Sequence, residues 1–185
     1  MALTSKATVL GAGAFTPIGL NLTQTSMLHR MGVAAMEGAP LGQEGDTITV
    51  CRAAVDPELR GADRLLALAE PALEEALAEA IGGSRARLLL ELDEHVSDEV
   101  AEIVAATLGR AMQRATAETR VEVGRKGSSS ALPTLATALA SGRDDVVIWG
   151  GVHSNCDAWG IGRLVAADRL YADDNLDAVL PGEAV

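Results

Sequence analysis

Short apolar runs alternate with longer segments of helical periodicity along most of the chain, and this alternation restricts the fold more than any other feature. Runs typical of buried strands begin at five positions, namely Ala7, Thr47, Ala86, Thr119 and Asp145. Strands joined by crossover helices run parallel, because each helix returns the chain to the same end of the sheet. The sequence therefore predicts an α/β fold with a mainly parallel, mixed sheet that is flanked by helices on both faces.

Three helices are predicted from the spacing of apolar residues and from their caps. The first begins near Asp63 and ends at Gly82, a residue type that often follows a helix. The second follows Ser97, which is a good N-cap before an acidic first turn. The third extends from about Ser128 to Leu139.

The stretch VLGAGAFTPIGL, residues 9–20, predicts a strand, a tight turn and a helix that begins near Ile18. Gly11, Gly13 and Pro17 are interpreted as structural turn residues. The spacing does not fit a dinucleotide-binding fingerprint, because Thr16 stands at the sixth position, where that motif needs glycine. We expect neither a nucleotide nor any other cofactor.

Length and charge narrow the range of functions. A chain of 185 residues, 48% of them apolar, can bury one core, so residues 1–185 are predicted to form a single domain. A net charge of -11 disfavours nucleic acids and anionic membrane surfaces as partners. No apolar run reaches the roughly twenty residues that span a bilayer. Because Cys51 and Cys156 form no disulfide framework, we expect a soluble protein of the reducing cytoplasm.

Three ordered segments resemble β-ketoacyl synthases. They are VLGAGAFTPIGLNLTQTSMLHRMGVAAM (residues 9–36), LASGRDDVVIWGGVHSN (139–155) and DRLYADDNLDAVLPGEAV (168–185). The resemblance implies a thiolase-like half-domain, equivalent to the N-terminal half of such a synthase but without its last strand. It also implies an open sheet edge and a third helix exposed where the second half normally covers it. We therefore expect an oligomer, either a homodimer or a complex with a complementary synthase half.

The family's nucleophilic cysteine precedes the third helix, in the region VEVGRKGSSSALP (residues 121–133). Alignment without a gap places Arg125 at that position, and a small shift places Lys126 or Gly127 there. None of these can form a thioester, since a guanidinium stays protonated and the other two carry no thiol. The histidine or asparagine partners of the family belong to the C-terminal half, which the resemblance leaves outside this chain.

Two other roles are considered for the start of the third helix. Ser128 and Ser129 are weak candidates for a replacement nucleophile and are interpreted instead as caps of the helix. Together with Arg125 and Lys126 they form a candidate site for a carboxylate or phosphate. The same arginine and lysine close a basic stretch that would offer an acidic acyl carrier protein a docking face, although the net charge opposes this.

The remaining polar and turn residues are interpreted as structural. His29 and His95 are predicted at the surface or in packing, and His153, Cys156 and Asp157 lack a fourth ligand, so no metal site is expected. Trp149 and Trp159 are assigned to core or interface packing. Three glycines are assigned to turns at strand ends, namely Gly150, Gly151 and Gly182. Four acids are assigned to a solvated loop edge, namely Asp173, Asp174, Asp177 and Glu183.

Three hypotheses for the function follow. The first is a non-catalytic or degenerate ketoacyl-synthase-like protein that acts with a partner in acyl-chain metabolism, of the fatty acid or polyketide type. The second is an acyltransferase or condensing enzyme that is active only when a separate C-terminal half completes it. The third is an anion-binding or structural interaction module that retains only the fold.

Overall fold

The computed structural model describes residues 7–41, 46–78, 84–125, 128–171, 175 and 178–185. Five helices and six strands lie in these ranges. In chain order they are α1 (Leu22–Arg30), β1 (Glu37–Leu41), β2 (Asp46–Val50), α2 (Gly61–Leu77), β3 (Arg85–Leu92), α3 (Asp98–Met112), β4 (Glu118–Gly124), α4 (Ser128–Ser141), β5 (Val146–Ser154), α5 (Ala158–Ala166) and β6 (Glu183–Ala184).

A four-stranded sheet in the order β4-β3-β5-β6 forms the centre of the fold. Strand β3 pairs with β4 and β5 in parallel, and β6 pairs antiparallel with the end of β5. Leu88 and Leu90 of β3 are buried between its two neighbours, as an apolar central strand requires. The predicted α/β class and the mainly parallel sheet are confirmed.

Helices α2 and α3 cover one face of this sheet and form the main core with it. Buried leucines of β3 at alternate positions, Leu88, Leu90 and Leu92, contact apolar residues of both helices. Helix α3 begins as predicted, since the hydroxyl of Ser97 accepts a hydrogen bond from the backbone N–H of Val100 at 3.3 Å. Because side chains alternate along a strand, the residues between these leucines face the opposite side, where α4 packs on β3 and β5.

A separate hairpin of β1 and β2 packs beside the sheet. Ile48 and Val50 of β2 contact Cys156 and Ile161 in a second buried cluster. The chain after β2 then joins the C-terminal segment, because Cys51 donates its backbone N–H to the carbonyl of Pro181 at 2.8 Å. Strands β1 and β6 and helix α5 had no counterpart among the elements predicted from the sequence.

The prediction of a buried strand from Ala7 is wrong. Residues 7–14 form no strand, and the side chain of Val9 is 85% exposed. This segment lies instead along α2, where Ala14 donates its N–H to the carboxylate of Glu75 at 3.1 Å. The helix predicted near Ile18 begins at Leu22, because the side chain of Asn21 caps it.

The glycines and prolines assigned to turns have different roles. Pro17 lies in a turn closed by hydrogen bonds between Thr16 and Gly19, as predicted. Gly150 and Gly151 are not in a turn but inside β5, where they pair with Leu90 and Glu91 of β3. Gly182 is likewise extended and bridges Cys51. Gly11 and Gly13 lie against the backbone of α2, and the predicted C-cap Gly82 lies outside the described residues.

Candidate functional site

A cleft of about 630 Å³ lies at the carboxyl ends of the parallel strands, and we call it the strand-end cleft. Residues 91–94 at the end of β3 and residues 149–153 of β5 form its two sides, and Arg125 closes it beyond β4. Open α/β sheets bind ligands at this end of their strands. A second cleft, of about 680 Å³ between α3 and the end of β4, shares Glu91 and Arg125 with it.

Arg125 lies directly after β4, where the sequence predicted that a cation replaces the nucleophilic cysteine. Its guanidinium donates hydrogen bonds to the carbonyl of Val96 and to the carboxylate of Asp98, the latter at 2.8 Å. Its side chain is 28% exposed. The charge of Arg125 is therefore already paired within the chain, which weakens its capacity to hold a further anion.

The rest of the predicted anion site is described only in part. Lys126 lies outside the described residues. Ser128 and Ser129 are the first two residues of α4, and their side chains lie outside the described residues, so their role as caps remains a prediction. The anion site remains a prediction.

Glu91 occupies the middle of the strand-end cleft. Its register partners are Gly124 on β4 and Gly151 on β5. A Cβ atom added at Gly124 would lie 2.0 Å from Oε1 of Glu91, so the glycine provides the space for this carboxylate. Oε2 of Glu91 is buried and has no hydrogen-bond partner within the described part of the chain. Glu91 is therefore a carboxylate at the cleft whose Oε2 no described group hydrogen-bonds.

His153 and Asp93 form a pair on the side of the cleft opposite Arg125. Nδ1 of His153 lies 3.4 Å from Oδ2 of Asp93. The other carboxylate oxygen, Oδ1, accepts the backbone N–H of His95 at 2.9 Å. Sequence reasoning missed this pair. Asp93 directly follows β3, His153 lies near the end of the neighbouring parallel strand β5, and the register of Leu92 with Val152 places the two residues side by side.

Trp159 and Arg163 of α5 support the pair from outside the cleft. Nη2 of Arg163 lies 3.6 Å from Oδ2 of Asp93, and its guanidinium lies over the indole of Trp159, 5.2 Å from the ring centroid. His95 contacts the same indole edge-on. His29 and His95 are surface residues as predicted, whereas Trp149 and Trp159 are 39% and 59% exposed and do not belong to the core.

Neither cysteine of the chain is an activated nucleophile. Cys156 is buried, and burial, followed by the charge of Glu183, raises the pKa of its thiol to about 12. Burial also raises the pKa of Cys51. Both thiols are free. Because the thiolate is the reactive form, these sulfurs are poor replacements for a catalytic cysteine.

His153, Cys156 and Asp157, which were considered as metal ligands, make contacts with three different groups. The carboxylate of Asp157 accepts the backbone N–H of Gly160 at 2.6 Å and caps α5. The thiol of Cys156 faces the carbonyl of Cys51, while His153 faces Asp93. Within the described ranges, no three potential metal ligands converge.

Among the helices of the described residues, none is long and apolar enough to cross a membrane.

Glu183 was assigned to a solvated loop edge, and this assignment is wrong. Its carboxylate is fully buried and accepts hydrogen bonds from Nε and Nη2 of Arg64 at 2.5 and 2.8 Å. The hydroxyl of Ser154 and the N–H of Ala53 complete its contacts. A buried carboxylate is tolerated only when it is paired in this way. Asp173, Asp174 and Asp177 lie outside the described residues.

No protein-family model matches the chain, and no curated protein matches its sequence. Solved structures match its fold. The ketosynthase from module 6 of the bacillaene synthase from Bacillus subtilis 168 has a TM-score of 0.66 and 15% identity, and the match covers 95% of this chain and 37% of that chain. An oxazolomycin ketosynthase domain from Streptomyces albus JA3453 has a TM-score of 0.64 and 15% identity, covering 95% and 40%. The chain therefore has the thiolase-like fold of ketosynthase domains and spans about two fifths of their length or less.

Proposed function

We propose that the chain is a ketosynthase-like protein of acyl-chain metabolism, of the fatty acid or polyketide type, which forms no acyl thioester itself and acts with a partner. One observation carries this proposal. The residue that follows β4, where the family places its cysteine, is an arginine paired with Asp98. The ketosynthase-like fold supports the proposal. The high pKa of Cys156 supports it as well, because this thiol is not activated to form a thioester in place of the family's cysteine.

Acyl loading tests the proposal. The purified chain is incubated with acetyl, malonyl and butyryl thioesters of coenzyme A, and its intact mass is measured. We expect no acyl adduct at pH 7.5. An Arg125→Cys variant, handled in parallel, reports whether a thiol after β4 is accessible to the same reagents. A stoichiometric adduct on the unaltered chain would overturn the proposal.

A second function is favoured by the exposed surface of α4. Its residues Leu132 and Leu139 are 54% and 41% exposed, although the helix packs on the central sheet through Ala138. Such a surface suits a complementary synthase half, which would complete an acyltransferase in trans. Addition of a separately produced C-terminal half should then produce acyl transfer to a carrier protein. Inactivity of the combined halves would count against this function.

We place the protein in the cytoplasm, since free cysteines are compatible with a reducing compartment. Its expected partners are a second copy of the chain or the complementary half, with an acyl carrier protein as a further candidate. Carrier proteins are acidic, so the net charge of -11 predicts weak binding to them unless a basic face is present.

A further inference from the structure

We propose that His153, oriented by Asp93, is a general base in the strand-end cleft that activates water for hydrolysis of neutral esters and thioesters. This inference goes beyond the proposed function, because the reaction needs no thiol on the protein. It applies to the chain as it is and does not depend on a partner.

Asp93 lies beside the imidazole of His153, with Oδ2 3.4 Å from Nδ1, a contact within ion-pair distance that is not a formed hydrogen bond. A small movement that closes this hydrogen bond would favour the tautomer with the proton on Nδ1 and leave the lone pair on Nε2. Two groups restrain Asp93 in turn, the backbone N–H of His95 and the guanidinium of Arg163. Catalytic contacts of this kind are often long in unliganded structures and shorten when substrate binds.

His153 lines the cleft, and its side chain is partly exposed to solvent. The side chain of His153 is 45% exposed, whereas that of Asp93 is 20% exposed. Within the described residues, no hydrogen bond engages Nε2 of His153. A cleft of about 630 Å³ is large enough for a small ester together with water. The orienting acid is thus sheltered while the base meets solvent and ligand.

The remaining walls define the class of substrate. Trp149 offers an apolar indole surface, and Gly150 beside it leaves open space where a side chain would otherwise stand. Glu91 and Glu94 add negative charge to the same cleft, and the charge of Arg125 is paired with Asp98. The acidic side chains described at the cleft disfavour an anionic ligand there, so we infer a neutral ester or thioester with a short apolar acyl group.

The reaction balances without a cofactor. His153 Nε2 takes a proton from water as the water oxygen forms a bond to the carbonyl carbon of the substrate. The bond from that carbon to sulfur then breaks, and its electron pair leaves with the sulfur. The imidazolium returns the proton to the sulfur. The products are a carboxylic acid and a thiol, and the histidine is restored.

Hydrolysis of the butyryl thioester of N-acetylcysteamine tests the proposal, with butyrate release measured by chromatography. The unaltered chain should exceed the buffer rate, and His153→Gln should lower kcat about a hundredfold. Asp93→Asn should lower kcat while KM changes less than twofold, because Asp93 positions the base without touching substrate. His29→Gln, an exposed histidine on α1, is the matched control and should leave the rate unchanged.

The outcomes separate this proposal from the proposed function. A buffer-level rate for the unaltered chain, or equal rates for the chain and His153→Gln, would overturn the general base. The polyanionic butyryl thioester of coenzyme A should react at least tenfold more slowly than the neutral substrate, and equal rates would overturn the substrate class. A covalent acyl adduct would instead contradict the proposed function. Circular dichroism of each variant confirms that it is folded.

Discussion

The Arg64 and Glu183 side chains form a buried ion pair, with 4% and 0% of their surfaces exposed. Glu183→Gln keeps the shape of the side chain but leaves the guanidinium of Arg64 buried without its counter-charge. We expect a loss of about 3–5 kcal/mol in the free energy of unfolding, measured by urea denaturation. Glu118→Gln, which breaks the exposed pair with Arg120, should cost less than about 1 kcal/mol. Equal losses for the two variants would show that burial does not determine the effect.

The raised pKa of the Cys156 thiol makes a prediction about its reactivity. A thiol with a pKa of about 12 rather than 9.0 carries about a thousandfold less thiolate at pH 8, and alkylation proceeds through the thiolate. In the folded chain, Cys156 should therefore resist iodoacetamide at pH 8 by at least that factor and react fully in urea. Cys51, which is less buried, is the internal comparison and should react faster. Peptide mass analysis after quenched labelling measures both rates, and rapid alkylation of folded Cys156 would contradict its placement.

The contact of the N-terminal segment with α2 depends on the absence of a side chain at Gly13. A Cβ atom there would lie 1.9 Å from the carbonyl oxygen of Ala72, which belongs to the backbone of α2 and cannot move aside. Gly13→Ala should lower the free energy of unfolding by about 1–3 kcal/mol. Gly162→Ala, in α5 with open space around the glycine, should be neutral or slightly stabilising. Thermal denaturation of both variants checks the difference, and an unaffected Gly13→Ala would mean that the segment does not pack on α2.

The elements predicted correctly are those whose own sequence contains the signal. Strand β3 is a continuous apolar run, and α3 combines a serine cap with helical periodicity, so local physics is sufficient. The run from Ala7 has the same apolar character, but the structure places it along α2. The burial of Glu183 depends on Arg64, 119 positions away, which no local pattern reveals.

Of the candidate site, the sequence predicted the position of Arg125 but not the pair of His153 and Asp93. The prediction that Arg125 stands at the cysteine position follows from the residues around it and the resemblance to the synthases. The pair of His153 and Asp93 depends instead on the strand order. If β4 lay between β3 and β5, the ends of β3 and β5 would not be neighbours. Only the register of β3 with β5 brings the two strand ends together.

The two faces of the central sheet differ in how completely the chain covers them. Helices α2 and α3 bury one face in the main core, whereas α4 covers the other face and is itself exposed along most of its length. The solved ketosynthases that share this fold are more than twice as long as the matched region. The exposed α4 surface is the surface at which the proposed partner would bind.

Self-association through α4 is the prediction that follows. Leu132 and Leu139 are seven residues apart and lie on one side of the helix, so both exposed side chains belong to one apolar strip of α4. We expect the chain to sediment as an oligomer at micromolar concentration, because burial of this strip contributes roughly 25 cal/mol for each Å² removed from water. Leu132→Glu with Leu139→Glu should shift it to monomer by placing charge in the contact. Val165→Glu, at an exposed apolar residue of α5, should leave the sedimentation coefficient unchanged. A monodisperse monomer of the unaltered chain would remove self-association and leave the complementary half as the remaining occupant of α4.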